Sequence, residues 1–330
     1  MLGTKKIVVV KAFMDEENRQ KIEAIAKKYR FAVSFFTDNR DAMEAIADAE
    51  VIYGMGPDLI QNAPKLKWFC SAAAGVNNLL VDGLPANPEY QLTCATGSYG
   101  LTISEHIIMV ALMMMRRIPE YVKSNANKIW TGGLSQKSLA GSRILVLGTG
   151  DIGGTFAKRV KSFDPETVIG INRTGETDCP YFDVVAKTEY LNDFLPQADL
   201  VVMCLPETPE TINIMSRERI ALMNQDVYLV NIGRGSALDQ DALVEALNNG
   251  DIAGAALDVF TTEPLTPDDP IWDTTNLLIT PHISGQETLK YTRDKNVDIF
   301  CEDLINYCEG RPLTYVVDKS IGYQTMRKLP

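Results

Sequence analysis

Histidine is the scarcest reactive residue in this 330-residue chain, which has two, His106 and His282. That scarcity argues against a multi-histidine metal centre, and leaves any imidazole chemistry to one of two positions. No metal is expected. Cysteine is also sparse. Cys70, Cys94, Cys179, Cys204, Cys301 and Cys308 form no CxxC pair and no secreted-framework spacing. Most stand among apolar neighbours, as reduced core thiols do, so a cytoplasmic compartment is expected. Long hydrophobic runs are missing too: stretches such as residues 107–115 fall short of the roughly 18 residues that a membrane span needs. The first residues run straight into a Val-rich strand, so neither leader nor anchor is expected. Positive charge is in deficit, with 32 Lys and Arg against 43 Asp and Glu, a net of −11. No basic stripe offsets it, which argues against nucleic acid as a partner.

What is present is an ordinary globular composition, 45% apolar, in a chain long enough for about two domains at roughly 150 residues each. From residue 6 to about 94, short apolar runs alternate with longer amphipathic ones, the pattern of a parallel sheet covered by helices. A helix without proline is expected over 102–117, with Pro119 marking its end, followed by a looser polar stretch over 125–140. A second α/β series starts near residue 143 with strands at 144–147, 168–171, 200–205, 228–232, 252–259 and 277–280. A last amphipathic helix then reaches about residue 308. The fold class read from this is α/β, two doubly wound parallel-sheet domains. The first covers 1–99 and is completed by 290–330; the second covers 100–289. No internal repeat or low-complexity tract is visible.

Gly148, Thr149, Gly150, Asp151, Ile152 and Gly153 follow an apolar strand and open a helix, the context that a Rossmann dinucleotide fingerprint requires. Gly148 permits the tight turn, Gly150 lets backbone approach a pyrophosphate, and Gly153 lets helix pack on strand. The helix N-terminus offers free N–H groups and a positive dipole end to the phosphates. About twenty residues on, the end of the next strand normally meets the adenosine ribose. An acid there accepts from the 2′-hydroxyl, whereas an arginine binds a 2′-phosphate. This chain has Asn172, Arg173 and Thr174. NADP(H) is therefore the expected cofactor, with NAD(H) as the alternative if Arg173 is merely solvated.

Three later segments carry the chemistry: 230–236 (VNIGRGS), 257–265 (LDVFTTEPL) and 279–285 (ITPHISG). Arg234, Glu263 and His282 each lie just after an apolar strand, where open α/β sheets present their ligand crevice. Arg234 suits a 2-keto carboxylate and ketone oxygen because its planar fork makes bidentate contacts, and its flanking glycines leave backbone room. His282 as imidazolium can give a proton to that oxygen while hydride arrives at C2. Glu263 can orient the ring and favour its charged form. The ordinary alternatives are a loop cation, a turn acid and a satisfied histidine. His106, on an apolar helix after Glu105, reads as a packing or helix-to-helix hydrogen-bonding residue. Tyr53 and Met55 follow another strand end and are candidates for reading a substrate side chain.

Together with the glycine motif, these segments resemble the D-isomer-specific 2-hydroxyacid dehydrogenases. The resemblance takes in 73–77 (AAGVN), 104–106 (SEH) and 205–208 (LPET), and it spans most of the chain. It implies a flavodoxin-like substrate domain beside the Rossmann domain, with a cleft between them. It also implies substrate binding by Ala74, Gly75 and Val76, and a homodimer built on 101–130. Cofactor contacts are implied at Leu205, Pro206, Thr211, Ile232 and Gly233, and at Asp258 through the nicotinamide carboxamide. The function implied is NAD(P)H-dependent reduction of a 2-keto acid to the D-2-hydroxy acid. Formate dehydrogenases of the same family pair the histidine with Gln, so Glu263 argues against that branch. The alternative from another class is a corepressor-like binding protein of the same fold, which also retains a similar triad.

Overall fold

Val, Ile, Phe and Trp crowd the short apolar runs of the first hundred residues, and in the computed structural model each run is a parallel strand. They are β1 (Lys6–Val10), β2 (Ala32–Phe36), β3 (Val51–Gly54), β4 (Trp68–Ser71) and β5 (Gln91–Thr93), with α1 (Glu16–Lys28), α2 (Asn39–Ile46) and α3 (Pro57–Gln61) between them. The structure describes residues 5–80 and 89–324. Spatial order is β2-β1-β3-β4-β5, every pair parallel. That order is the flavodoxin-like one. Helix starts are set locally: the Asp15 carboxylate accepts from the Asn18 amide at 3.0 Å, and Asp38 caps α2 in the same way.

Next come α4 (Gly100–Met115) and α5 (Ile118–Ala126), then β6 (Arg143–Leu147), α6 (Asp151–Val160), β7 (Thr167–Asn172), β8 (Val184–Lys187), α7 (Leu191–Phe194), β9 (Leu200–Met203), α8 (Arg217–Ile220), β10 (Tyr228–Asn231), α9 (Gln240–Asn249), β11 (Gly254–Leu257) and β12 (Leu277–Ile279). Their seven-stranded sheet runs β12-β11-β10-β9-β6-β7-β8 and is wholly parallel. Strand order reverses at β6, beside β9, which is the switch point where doubly wound sheets bind ligands. The long α10 (Lys290–Cys308) and a small hairpin, β13 (Val317–Asp318) with β14 (Tyr323–Gln324), finish the chain. Two compact units result: unit 1 comprises 1–99 with 286–330, and unit 2 comprises 100–285.

Each core follows from strand alternation. In unit 1, Ile7, Val9, Val51, Tyr53 and Trp68 face α1 and α10, while Val8, Val10, Ile52 and Phe69 face α2 and α3. Phe300 of α10 stacks on Tyr53 with ring centroids 4.3 Å apart and on Trp68 at 5.4 Å. Unit 2 buries Leu145, Leu147, Val201, Met203, Leu229 and Leu257 under Leu243 and Leu247 of α9.

Several elements depart from the sequence reading. The helix expected over 102–117 is α4, which ends at Met115 ahead of Pro119, but Pro119 then stands as the second residue of α5, a position where its missing N–H has no partner to lose. The strand β8 has no counterpart in the reading, because its Val-Val-Ala-Lys run is short and half exposed at a sheet edge. Among the described residues no helix is long and apolar enough to cross a membrane.

Candidate active site

The glycine loop lies between β6 and α6, at the switch point. Gly148 has φ +97°, and a Cβ there would sit 2.9 Å from the Cys204 carbonyl oxygen; a Cβ on Gly153 would come within 1.9 Å of the Gly148 oxygen. Packing thus demands both glycines. Gly150 is different. A Cβ on it would meet nothing within 4 Å, so the protein's own packing leaves the backbone of Gly150 open, as an approaching pyrophosphate requires. Gly150 is also the N-cap of α6 and supplies no side-chain cap, leaving the first-turn N–H groups of a ten-residue helix to a ligand. These residues fit a dinucleotide.

Asn172 ends β7. Its side-chain Oδ1 accepts from the amides of Thr174 at 3.0 Å and Gly175 at 2.6 Å, and its Nδ2 donates to the Thr149 hydroxyl at 2.7 Å and to the Glu176 carbonyl at 2.8 Å. Its amide shapes the turn and ties it to the glycine loop, while Arg173 and Thr174 lie exposed on that turn. The Asp151 carboxylate accepts the Gly100 amide at 3.0 Å, joining the starts of α6 and α4. The half-buried Thr211 hydroxyl donates to the Pro206 carbonyl at 2.7 Å and accepts the Thr208 amide at 2.8 Å, closing the turn that follows Leu205.

Arg234 stands after β10 with its backbone extended, and its Nη1 donates to the Gly233 carbonyl at 2.6 Å. Burial lowers its pKa, while the carboxylates of Glu207 and Glu263 favour its charge. The flanking glycines have a structural reason that the sequence reading did not supply. A Cβ on Gly233 would lie 2.6 Å from the Leu205 carbonyl oxygen, and one on Gly235 would lie 1.9 Å from the Phe260 carbonyl carbon. The room they leave is filled by backbone on either side of Arg234. Ile232, just before them, is buried.

Glu263 and His282 are in direct contact: Oε2 of the acid lies 2.7 Å from Nδ1 of the imidazole. The other carboxylate oxygen accepts the Phe260 amide at 2.8 Å, so the acid is held from its own loop. The Glu263–Pro264 peptide is cis. His282 has φ +52°, a left-handed conformation that costs a non-glycine residue about 1 kcal/mol or more.

Asp258 supports that conformation. It is buried at the end of β11, and its Oδ1 accepts from the Thr280 hydroxyl at 2.6 Å and the Ile283 amide at 2.9 Å. Its Oδ2 accepts from the Ser284 amide at 2.9 Å, and its carbonyl oxygen accepts from the His282 amide at 2.9 Å. With about four acceptor positions on a carboxylate, these bonds still leave capacity for a further donor. Thr280 was not singled out from the sequence; its place two residues before His282 was the available signal.

In unit 1, Ala74 and Gly75 are half exposed and Val76 is buried, on the loop after β4. Met55 is 49% exposed. Tyr53 corrects the sequence reading. It is fully buried inside β3, stacked on Phe300, with its hydroxyl donating to the Asn296 side chain at 2.8 Å. A ring enclosed in a sheet core cannot read a substrate.

Comparison with known proteins shows the family and the fold. Residues 108–284 match the family model described as D-isomer specific 2-hydroxyacid dehydrogenase, NAD binding domain. The glyoxylate/hydroxypyruvate reductase B of Pectobacterium carotovorum is 32% identical over 250 residues, 73% of this chain and 77% of that one. The crystal structure of a D-isomer specific 2-hydroxyacid dehydrogenase family protein from Aeromonas salmonicida is similar with a TM-score of 0.83 and 31% identity, covering 96% of this chain and all of that one. An NADPH-dependent glyoxylate/hydroxypyruvate reductase from Sinorhizobium meliloti, solved with NADP and sulfate, gives 0.79 and 26% identity over 97% of this chain and all of its own.

Proposed function

The chain belongs to the D-isomer specific 2-hydroxyacid dehydrogenases, and from that membership we propose that it reduces a 2-keto acid to the D-2-hydroxy acid with NADPH as the preferred hydride donor. The observation that carries this reading is the 2.7 Å contact between Glu263 and His282, in the same unit as Arg234 and a glycine loop that fits a dinucleotide. The reduced nicotinamide, when bound, supplies the hydride to C2 of the keto acid. Nδ1 of His282 is turned to Glu263, so proton delivery to the ketone oxygen falls to Nε2. Glu263 holds the ring in place and balances its charge. Arg234 binds the carboxylate and draws electron density from the carbonyl. In the reverse direction the neutral imidazole takes the proton back.

Arg173 and Thr174 are assigned to the 2′-phosphate, and Asn172 to the shape of the turn presenting them. Leu205, Pro206, Thr211, Ile232 and Gly233 are assigned to the dinucleotide, and Asp258 to its carboxamide. In unit 1, Ala74, Gly75 and Val76 are assigned to substrate through backbone N–H groups, and Met55 through its exposed side chain. The six cysteines are free thiols, which supports placing the protein in the reducing cytoplasm. A homodimer through α4 and α5 is part of the same reading.

The test is oxidation of NADPH and of NADH by the purified protein against short, branched and aromatic 2-keto acids, glyoxylate and hydroxypyruvate included. Turnover favouring NADPH is expected, with the preference reduced in Arg173→Ala. Arg234→Ala should lower kcat/KM by roughly 150-fold, or about 3 kcal/mol for a lost charged contact. If NADPH binds and no keto acid turns over, the dinucleotide site stands and the enzymatic reading gives way to the binding-protein one.

A further inference from the structure

His106, on α4, is the histidine that the proposed reaction does not use, yet its side chain reaches the segment carrying the other one. Its Nε2 lies 3.3 Å from the Thr280 hydroxyl oxygen. The direction of that bond follows from what Thr280 does next. A hydroxyl has one proton, and the 2.6 Å contact with Oδ1 of Asp258 claims it, because an ionised carboxylate only accepts. Toward His106, therefore, the Thr280 oxygen can only accept. The proton must be on Nε2 of His106.

We propose that His106 is a positioning residue for the proton-transferring turn: its Nε2–H donates to the Thr280 hydroxyl, Thr280 donates to Asp258, and the Asp258 carboxylate, so oriented, anchors the backbone of the turn that presents His282. The three acceptor bonds of Asp258 span the turn from Thr280 through Ile283 to Ser284, with His282 between them in a left-handed conformation. A bond delivered at Thr280 fixes one end of this span and orients the carboxylate that fixes the other. The environment of His106 agrees. Burial lowers its pKa more than the opposing charge of Asp258 raises it, which keeps the ring neutral and so leaves it a definite tautomer. Glu105, its neighbour on α4, pairs with Arg159 at 3.7 Å. The inference rests on the reading of His282 as the proton donor, but the bonding pattern itself does not.

Two histidines in the whole chain make the test direct. In the full-length protein labelled with ¹⁵N-histidine, ring ¹H–¹⁵N spectra contain two spin systems, assigned by the loss of one in His106→Gln. His106 should be a neutral Nε2–H tautomer at about pH 8, and its titration should lie below that of an ordinary imidazole. Thr280→Val should shift the ring resonances of His106 and also of His282, whereas Thr280→Ser, which keeps the hydroxyl, should restore both. An Nδ1–H tautomer at His106, an ordinary titration, or a His282 signal indifferent to Thr280→Val would overturn the proposal. Kinetics add a second readout. Should the wild type reduce a keto acid, His106→Phe is expected to lower kcat about tenfold, one hydrogen bond's worth of alignment, with NADPH affinity within about twofold. His106→Gln, which carries a donor to nearly the same point, should recover most of it. A purely structural histidine would lower the melting temperature in His106→Phe without moving the His282 resonances. Absence of any turnover would refute the proposed function and leave the spectra to decide the relay.

Discussion

At the residue scale, the two histidines differ in what surrounds them. Burial holds the pKa of His106 below its ordinary value, so the folded protein resists its protonation and the unfolded chain, at about 6.5, does not. Between those two values the unfolded state binds more protons, and stability rises with pH. The contribution is complete above about pH 6.5 and is lost as pH falls toward the folded value. Wild type should therefore lose more melting temperature than His106→Gln on acidification from about pH 7 to about pH 5.5; equal losses would mean that the ring is not held neutral. Some of this environment was legible in the sequence and some was not. Segment 279–285 marked His282, and the loop acid Glu263 marked its partner, because both follow strand ends. His106 could be read as a hydrogen-bonding helix residue, but its partner Thr280 is 174 positions away. Tyr53 was misread because a position near a strand end looks like the rim of a sheet, and only the register shows that it faces inward.

At the scale of elements, a buried ion pair joins the first strand to the returning segment of unit 1. Lys11, just after β1, is 3% exposed and bonds the Glu287 carboxylate. Its ammonium lies 4.8 Å from the centroid of the Tyr53 ring. Burial pulls its pKa down, and Glu287 opposes that. Glu287 also accepts from Asn296 at 3.2 Å, and Asn296 donates to the Ala72 carbonyl at 2.6 Å, one residue before the 73–76 loop. Lys11→Met should destabilise by about 3 kcal/mol or more, because it leaves a largely buried carboxylate unpaired, while Lys11→Met with Glu287→Gln should recover much of that loss. Urea unfolding of both variants checks it, and a single variant as stable as the wild type would show that the pair is dispensable. Sequence inspection could not find this pair. Lysine and glutamate 276 positions apart carry no mutual signal, whereas the strands and their parallel order followed from a pattern that repeats locally. Short edge strands such as β8 escaped for the same local reason, being too brief and too exposed to show a period.

For the whole molecule, one surface calls for a partner. On α4 and α5, Met109, Ile118 and Val122 are exposed, and beyond them Ile129 is 58% and Trp130 fully exposed. Apolar side chains grouped in this way mark an interaction surface, and a second copy of the chain is the proposed occupant. Sedimentation should give twice the 36.5 kDa chain mass, and Val122→Glu should shift the equilibrium to the single chain. A wild-type protein that sediments as one chain at micromolar concentration would remove the dimer from the reading. The chain also leaves unit 1 at residue 99 and returns to it only at 286, and the returning α10 brings Val297, Phe300 and Leu304 to one face of the first sheet. On the ribosome, unit 2 is therefore complete before unit 1 has its full core, although unit 1 begins to emerge first. Until the last 45 residues are made, the Tyr53 and Trp68 faces of that sheet lack Phe300 to cover them. The nascent chain spends the synthesis of residues 100–285 with one face of an early sheet covered by α1 but not by α10, and a stop anywhere in that span leaves a product whose first-made strands lack the second helix of their cover.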